Sequence, residues 1–235
     1  MKRILINARS EIIQKDYYFT NLNNALLSEG IQLTFFRKFY FLFPIFRNIL
    51  LSNCKILHFH WLHDHTGFNL KNKLKFCVKL IIFLVDFSLI RYLLKVKTIW
   101  TVHNLYGHES YHPFFEKITK IYFAKKVNFI ITHCDKAMNI IKREFNVSKS
   151  KIIVIPHGHY LNNYENLITK KEARKKLNLR DNDLIFLCFG RIRPHKEVDE
   201  LITAFNQFRL VNNIKLLIVG RPLNDKIKYK LLKLS

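Results

Sequence analysis

Eleven histidines carry much of the chemical information in this chain, and none precedes His58 or follows His195. Most close or follow short apolar runs that read as strands. His58 and His60 end the run 55–60, His103 follows 98–102, and His133 follows 128–132. His157 and His159 come after 152–155, and His195 after 184–189. In open α/β sheets ligands bind in the crevice outside the carboxyl ends of the strands. Imidazoles repeated there can donate to and accept from a sugar, a phosphate or an acceptor group. The stretch His58-Phe59-His60-Trp61-Leu62-His63-Asp64-His65 also invites a metal, because His58 and His60 share one face of a strand. No Glu or Cys stands at helical ligand spacing and no H-E-x-x-H occurs, so no metal site is expected.

The six glycines are single, and neither a P-loop nor a G-x-G-x-x-G fingerprint is present. Phe189-Gly190-Arg191-Ile192-Arg193-Pro194-His195-Lys196 instead follows an apolar strand and precedes a helix. Gly190 permits a tight exit from that strand. Arg191 and Lys196 can then project two cations over one crevice, where they would stabilise charge on a departing nucleoside diphosphate.

The elements that must position these residues alternate. Strands are expected at 3–6, 31–36, 55–60, 98–102, 128–132 and 152–155. Helices are expected at 17–28, 39–51 with a break at Pro44, 72–94, 113–124 and 136–144. This β-α alternation predicts a parallel sheet with helices on both faces. After Pro156 the pattern gives way to a polar stretch, and Thr169-Lys170-Lys171-Glu172 reads as a capping box opening a basic helix. Strands at 184–189 and 215–219 flank a helix at 198–208. The expected domains are 1–165 and 166–235, the second with too few strands for a full doubly wound sheet.

Hydrophobic residues make up 49% of the 235, charged residues 24%, and the net charge is +23. This composition suits a folded core and implies an anionic partner. Nucleic acid is disfavoured: the cations are interleaved with apolar residues, and no helix-turn-helix, zinc-finger or RNP signature occurs. The four cysteines are scattered, with no C-x-x-C pair, which points to a cytoplasmic protein. The most apolar segment, 78–94, is interrupted by Lys79, Asp86 and Arg91, so no membrane span is expected. Phe35-Phe36-Arg37-Lys38-Phe39-Tyr40, Phe46-Arg47 and the basic stretch 71–79 mix aromatic, apolar and cationic residues. They predict peripheral contact with an anionic membrane surface, on the inner face of the cell membrane.

Three segments, Thr101-Val102-His103-Asn104, Ile155-Pro156-His157-Gly158-His159-Tyr160 and Gly190-Arg191 through Lys196, resemble the retaining glycosyltransferases of family 4. Trp61 to His65, the loop Asn104–Glu109 and Phe189 to Pro194 look most like members that build capsules or exopolysaccharides. The resemblance spans the chain from the first strand to Gly220. It implies a GT-B-like α/β fold: a complete amino-terminal Rossmann-like domain on the acceptor side, and an incomplete second one that binds the donor nucleotide. It also implies a hexosyltransferase that needs no cofactor. The sugar would pass from a UDP- or GDP-sugar to a membrane-associated, lipid-linked saccharide acceptor.

On this resemblance His103 would face the donor sugar, and Arg191 and Lys196 would hold the diphosphate. Asn7, Arg9, His60, Asn104, His108, Glu109, His133 and His157 would line the cleft on the acceptor side. The chain departs from the family pattern at three places. The usual glycine-rich turn after the first strand is missing at Asn7-Ala8-Arg9. Glu197 stands where the family generally carries Gly. The acidic E-x7-E segment that contacts the donor would lie beyond Ser235. A chain truncated in this way is expected to be inactive or impaired, and a non-catalytic remnant of such an enzyme is the competing expectation.

Overall fold

The computed structural model describes residues 2–9, 16–36, 42–107, 110–207 and 213–234, with the backbone alone at Ala8 and Arg9. The chain divides into two compact units, Met1–Asn163 and Tyr164–Ser235.

In the first unit six strands form one sheet: β1 (Lys2–Arg9), β2 (Ile31–Phe36), β3 (Ile56–Phe59), β4 (Lys97–Thr101), β5 (Phe129–Thr132) and β6 (Ile152–Val154). All pairings are parallel, in the order β2-β1-β3-β4-β5-β6. The order reverses between β1 and β3, so the crevice at their carboxyl ends is the topological switch point.

Alternation along the strands sorts side chains to two faces. Leu5, Leu57, Phe59, Trp100, Ile130 and Ile152 point into the main core. There they meet α2 (Pro44–Ser52), α4 (Lys73–Ser88), α5 (Pro113–Lys126) and α6 (Asp135–Phe145) through Ile45, Phe83, Phe87, Phe123 and Phe145. Ile4, Ile6, Leu33 and Phe35 point the other way, against Phe19 of α1 (Tyr17–Ser28). The even positions of β3 also face α1, and this turns His58 and His60 towards it.

Local signals explain most boundaries. Asp16 caps α1, its side chain accepting from the Tyr18 N–H at 2.9 Å, and Gly30, at φ +72°, releases the chain into β2. Asn72 caps α4 by accepting from the Lys75 N–H. α2 starts at Pro44 rather than near residue 39, and residues 39–41 lie outside those described. Its cap comes from another helix: the buried Asp86 carboxylate accepts from the Ile45 and Phe46 N–H groups, both at 2.7 Å. The expected helix 72–94 is α4 followed by a π-helical turn, Leu89–Leu93. A short helix not foreseen, α3 (His63–Thr66), directly follows the third strand. Among the described residues no helix is long and apolar enough to cross a membrane.

The second unit pairs β7 (Leu184–Phe189) with β8 (Ile214–Val219) in parallel and also holds α7 (Lys170–Lys176), α8 (Val198–Asn206) and α9 (Asp225–Leu234). The capping box expected at Thr169 and Glu172 is formed. Ile192, Val198 and Ile202 make the small core, with Cys188, Leu216 and Ile218 packed on it. The other side of β7 is bare, with Leu187 and Phe189 60% and 77% exposed.

Candidate functional site

The carboxyl edge of the first sheet gathers a cluster of imidazoles. Asn7, at the end of β1, bridges the switch point: its Nδ2 donates to the Trp61 carbonyl at 3.1 Å, and its Oδ1 accepts from the His60 N–H at 2.8 Å. This buried amide fixes the turn after β3 and thereby the His60 ring. His58 Nε2 lies 2.8 Å from the Thr101 hydroxyl, and its ring stands 4.2 Å from that of His60. His60 Nδ1 is 3.1 Å from His103 Nε2. His103 stacks on both Trp61 and His60 at 5.4 Å, the three rings forming a triangle, with His133 5.4 Å from His103. His157 completes the row at 5.1 Å from His133. Tyr18, from the first turn of α1, lies 5.3–5.5 Å from the rings of His60, His103 and His157.

This environment favours neutral rings. Burial, and then the neighbouring His103, holds His58 down to about 3. Burial also holds His60 well below the usual imidazole range, helped by His58, His103 and His133. His103 is lowered to about 4 by burial and by the charges that His133 and His157 would carry. Burial pushes the Tyr18 hydroxyl up to about 12, so it remains a proton donor. At neutral pH His58, His60 and His103 are therefore uncharged donors and acceptors suited to a polyol. Two ring atoms, His60 Nε2 and His133 Nε2, are buried without a hydrogen-bond partner. No group of three or more His, Cys, Asp or Glu among the described residues is arranged to hold a metal ion.

The loop after β4 is braced from beneath. Glu116 and Lys120, one turn apart on α5 and both buried, form an ion pair of 2.7 Å. Glu116 Oε1 also accepts from the Gly107 N–H at 2.8 Å, and Lys120 Nζ donates to the Leu105 carbonyl at 3.0 Å. The segment immediately after His103 and Asn104 is thus tied to the helix.

Of the residues singled out from sequence, Asn7, His60, His103, His133 and His157 meet in this cluster, and Asn104 is exposed beside it. His108 and Glu109 lie outside the described residues, as does the Arg9 side chain. His159 is exposed, while His65 is buried in α3 and His112 is stacked on Phe76 at 3.8 Å. Tyr18, Thr101, Glu116 and Lys120 were not foreseen. The Glu116/Lys120 pair had a signal, an i,i+4 acid–base spacing within an expected helix.

In the second unit Gly190 adopts φ +126°, and a Cβ built there would stand 3.4 Å from Lys196 Nζ. Gly220 packs against it so closely that a Cβ would fall 1.7 Å from the Gly190 carbonyl oxygen. Two glycines thus let the turns after β7 and β8 touch, with the exposed Arg191 and Lys196 on the first of them. Glu197 sits in the left-handed region, at φ 49°.

Residues 169–235 match the family model described as glycosyl transferases group 1. A lipopolysaccharide 1,2-N-acetylglucosaminetransferase of Salmonella typhimurium is 35% identical over 72 residues, which cover 30% of this chain and 19% of that protein. HepE of Anabaena, solved with UDP-glucose, superposes with a TM-score of 0.60 at 15% identity, over 100% of this chain and 66% of its own. A glycosyltransferase of Rickettsia africae gives 0.56 at 16% identity over 99% and 65%. A UDP-GlcNAc 2-epimerase of Neisseria meningitidis gives 0.53 at 13% over 100% and 69%. The chain thus spans about a fifth of the curated relative and about two thirds of these structures. The α/β, GT-B-like fold expected from the sequence is the fold found.

Proposed function

We propose that this chain carries the acceptor-side and donor-side parts of a retaining hexosyltransferase of the capsule and exopolysaccharide type. In this reading residues 1–165 face a lipid-linked saccharide acceptor at an anionic membrane surface, from the cytoplasmic side. Residues 166–235 bind the diphosphate of a UDP- or GDP-sugar through Arg191 and Lys196. His103 contacts the reacting sugar, and Asn7, Arg9, His60, Asn104, His108, Glu109, His133 and His157 line the acceptor side.

The observation that carries this reading is the turn after β7. There Lys196 Nζ lies against a glycine in a conformation that favours glycine, within the segment that matches the glycosyl transferases group 1 model. Two cations beside a bare backbone turn are suited to phosphate oxygens. The test is titration of UDP and GDP into the purified chain and into Arg191→Ala and Lys196→Ala. Each substitution should weaken binding by about 1.5–3 kcal/mol, the range for charge-assisted hydrogen bonds. Equal nucleotide affinity in all three proteins would refute the assignment.

A further inference from the structure

On the helical side of the first unit, α2, α3 and α4 surround a cavity of about 610 Å³ that no step of the proposed transfer uses. Its volume lies within the range of small-molecule sites, ~300–1,000 Å³. The lining is predominantly apolar: Ile45, Leu70, Leu74, Val78, Ile82 and Phe83. Leu74 and Val78 are also 74% and 41% exposed, so the cavity opens to solvent along α4. Lys75 and Lys79 belong to the same wall. Of the two carboxylates there, Asp86 already has both oxygens engaged by the α2 backbone, which leaves Asp64 as the counter-charge to two ammonium groups. Lys71 and Lys73, exposed just before this wall, add to the positive excess. His65, also in the lining, packs on Phe36 and Phe59, the last residues of β2 and β3. The cavity therefore adjoins the same sheet edge that bears His60.

We propose that this cavity binds the single alkyl or prenyl chain of a phosphate-bearing amphiphile, with the phosphate held at Lys75 and Lys79. Apolar walls bury the methylene groups while the two ammonium groups meet the anion. A recess between three helices takes one chain, whereas a bilayer surface meets the outer face of an amphipathic helix. The inference rests on the proposed function only for its biological source, as the place where the lipid of the acceptor is held.

The test is calorimetric titration of the full chain with dodecyl phosphate below its micelle concentration, beside dodecanol and inorganic phosphate. Saturable one-to-one binding of dodecyl phosphate is expected, tighter than either comparison ligand. Val78→Trp, which adds bulk at an exposed position of the lining, should weaken it at least about tenfold, the equivalent of roughly two methylene groups. Lys75→Glu should weaken dodecyl phosphate but leave dodecanol unchanged. Circular dichroism of both variants must match the parent. Non-saturable binding, or undiminished affinity in Val78→Trp, overturns the proposal. So does a failure to bind dodecyl phosphate by a chain that binds vesicles of anionic phospholipid. UDP titration separates the two readings: loss of UDP binding with dodecyl phosphate binding intact refutes the transferase alone, and the reverse refutes the lipid site alone.

Discussion

His60 Nδ1 and His103 Nε2 stand 3.1 Å apart, and only one of them can carry the hydrogen that joins them. Adding a second proton between the rings would set two donors against each other in a buried place. Burial lowers the proton affinity of His58, His60 and His103, and a proton on a neighbouring ring would lower it further.

The first prediction follows from the sign of these shifts. His58, at about 3, and His103, at about 4, lie below the unfolded value of ~6.5, so the unfolded chain binds more protons between those limits. Stability of the first unit is then fully present above pH ~6.5 and falls as pH drops towards 4, by about 1.4 kcal/mol per pH unit for each such ring. Asp86 opposes this with the reverse sign, because burial raises its carboxyl to about 6, but it is one group against several. Both tryptophans, Trp61 and Trp100, belong to the first unit, so urea unfolding followed by their fluorescence isolates it. A midpoint that is flat from pH 7.5 to 4.5 would contradict the shifts.

A second prediction concerns His103. In a sugar-transfer assay His103→Ala should lower turnover far more than donor affinity, because a contact with the reacting sugar strengthens at the transition state. His112→Ala serves as the control. That ring stacks on Phe76 and lies 2.8 Å from the Leu70 carbonyl through Nε2, remote in role from the cluster. Equal losses in both variants would make the His103 effect one of folding.

Glu116 and Lys120 support a third prediction. Removing one member of a buried ion pair costs about 3–5 kcal/mol, because the other charge is left uncompensated. Lys120→Met should fall in that range by urea unfolding. The double variant Glu116→Leu/Lys120→Met should recover part of the loss, although the Gly107 N–H and the Leu105 carbonyl still lose their partners. Additive losses would mean that the two residues act separately.

The sheet was legible because its strands are short apolar runs, four of them followed by histidine (His60, His103, His133 and His157), and the two faces of β3 followed from alternation. Ile56 and His58 share one face while Leu57 and Phe59 share the other. The histidine cluster was legible for the same reason: residues after successive parallel strands must converge on one edge. What sequence could not supply was the cross-chain partner of each group. Asp86 looks like an interruption in an apolar helix, and only tertiary packing makes it the cap of α2. Tyr18 reads as an ordinary first-turn residue until β3 and β4 bring His60 and His103 beneath it.

The departure at Glu197 has a backbone reason that gives a fourth prediction. With φ 49° and no side-chain cap at the start of α8, this position imposes on Glu a conformation that glycine adopts freely. Glu197→Gly should stabilise the second unit by about 1 kcal/mol, within the ~1–2 kcal/mol cost of a left-handed L-residue. It also removes a negative charge next to Lys196, so nucleoside-diphosphate affinity should rise. A loss of stability would show that Glu197 makes compensating contacts.

The last prediction is that the second unit unfolds before the first. Its core cluster of buried apolar residues, among those described, consists of Ile192, Val198 and Ile202, whereas the main core of the first unit includes Trp100, Phe59, Phe83, Phe87, Phe123 and Phe145. The exposed Leu187 and Phe189 deepen the contrast, since apolar surface left in water contributes nothing at ~25 cal/mol per Å². Far-UV dichroism, which sees both units, should therefore begin to change at lower urea than tryptophan fluorescence, which sees the first alone. Gly220→Ala should widen the gap, because its Cβ would collide with the Gly190 carbonyl and force apart the turns after β7 and β8. Coincident transitions in the parent chain would show that the two units unfold as one.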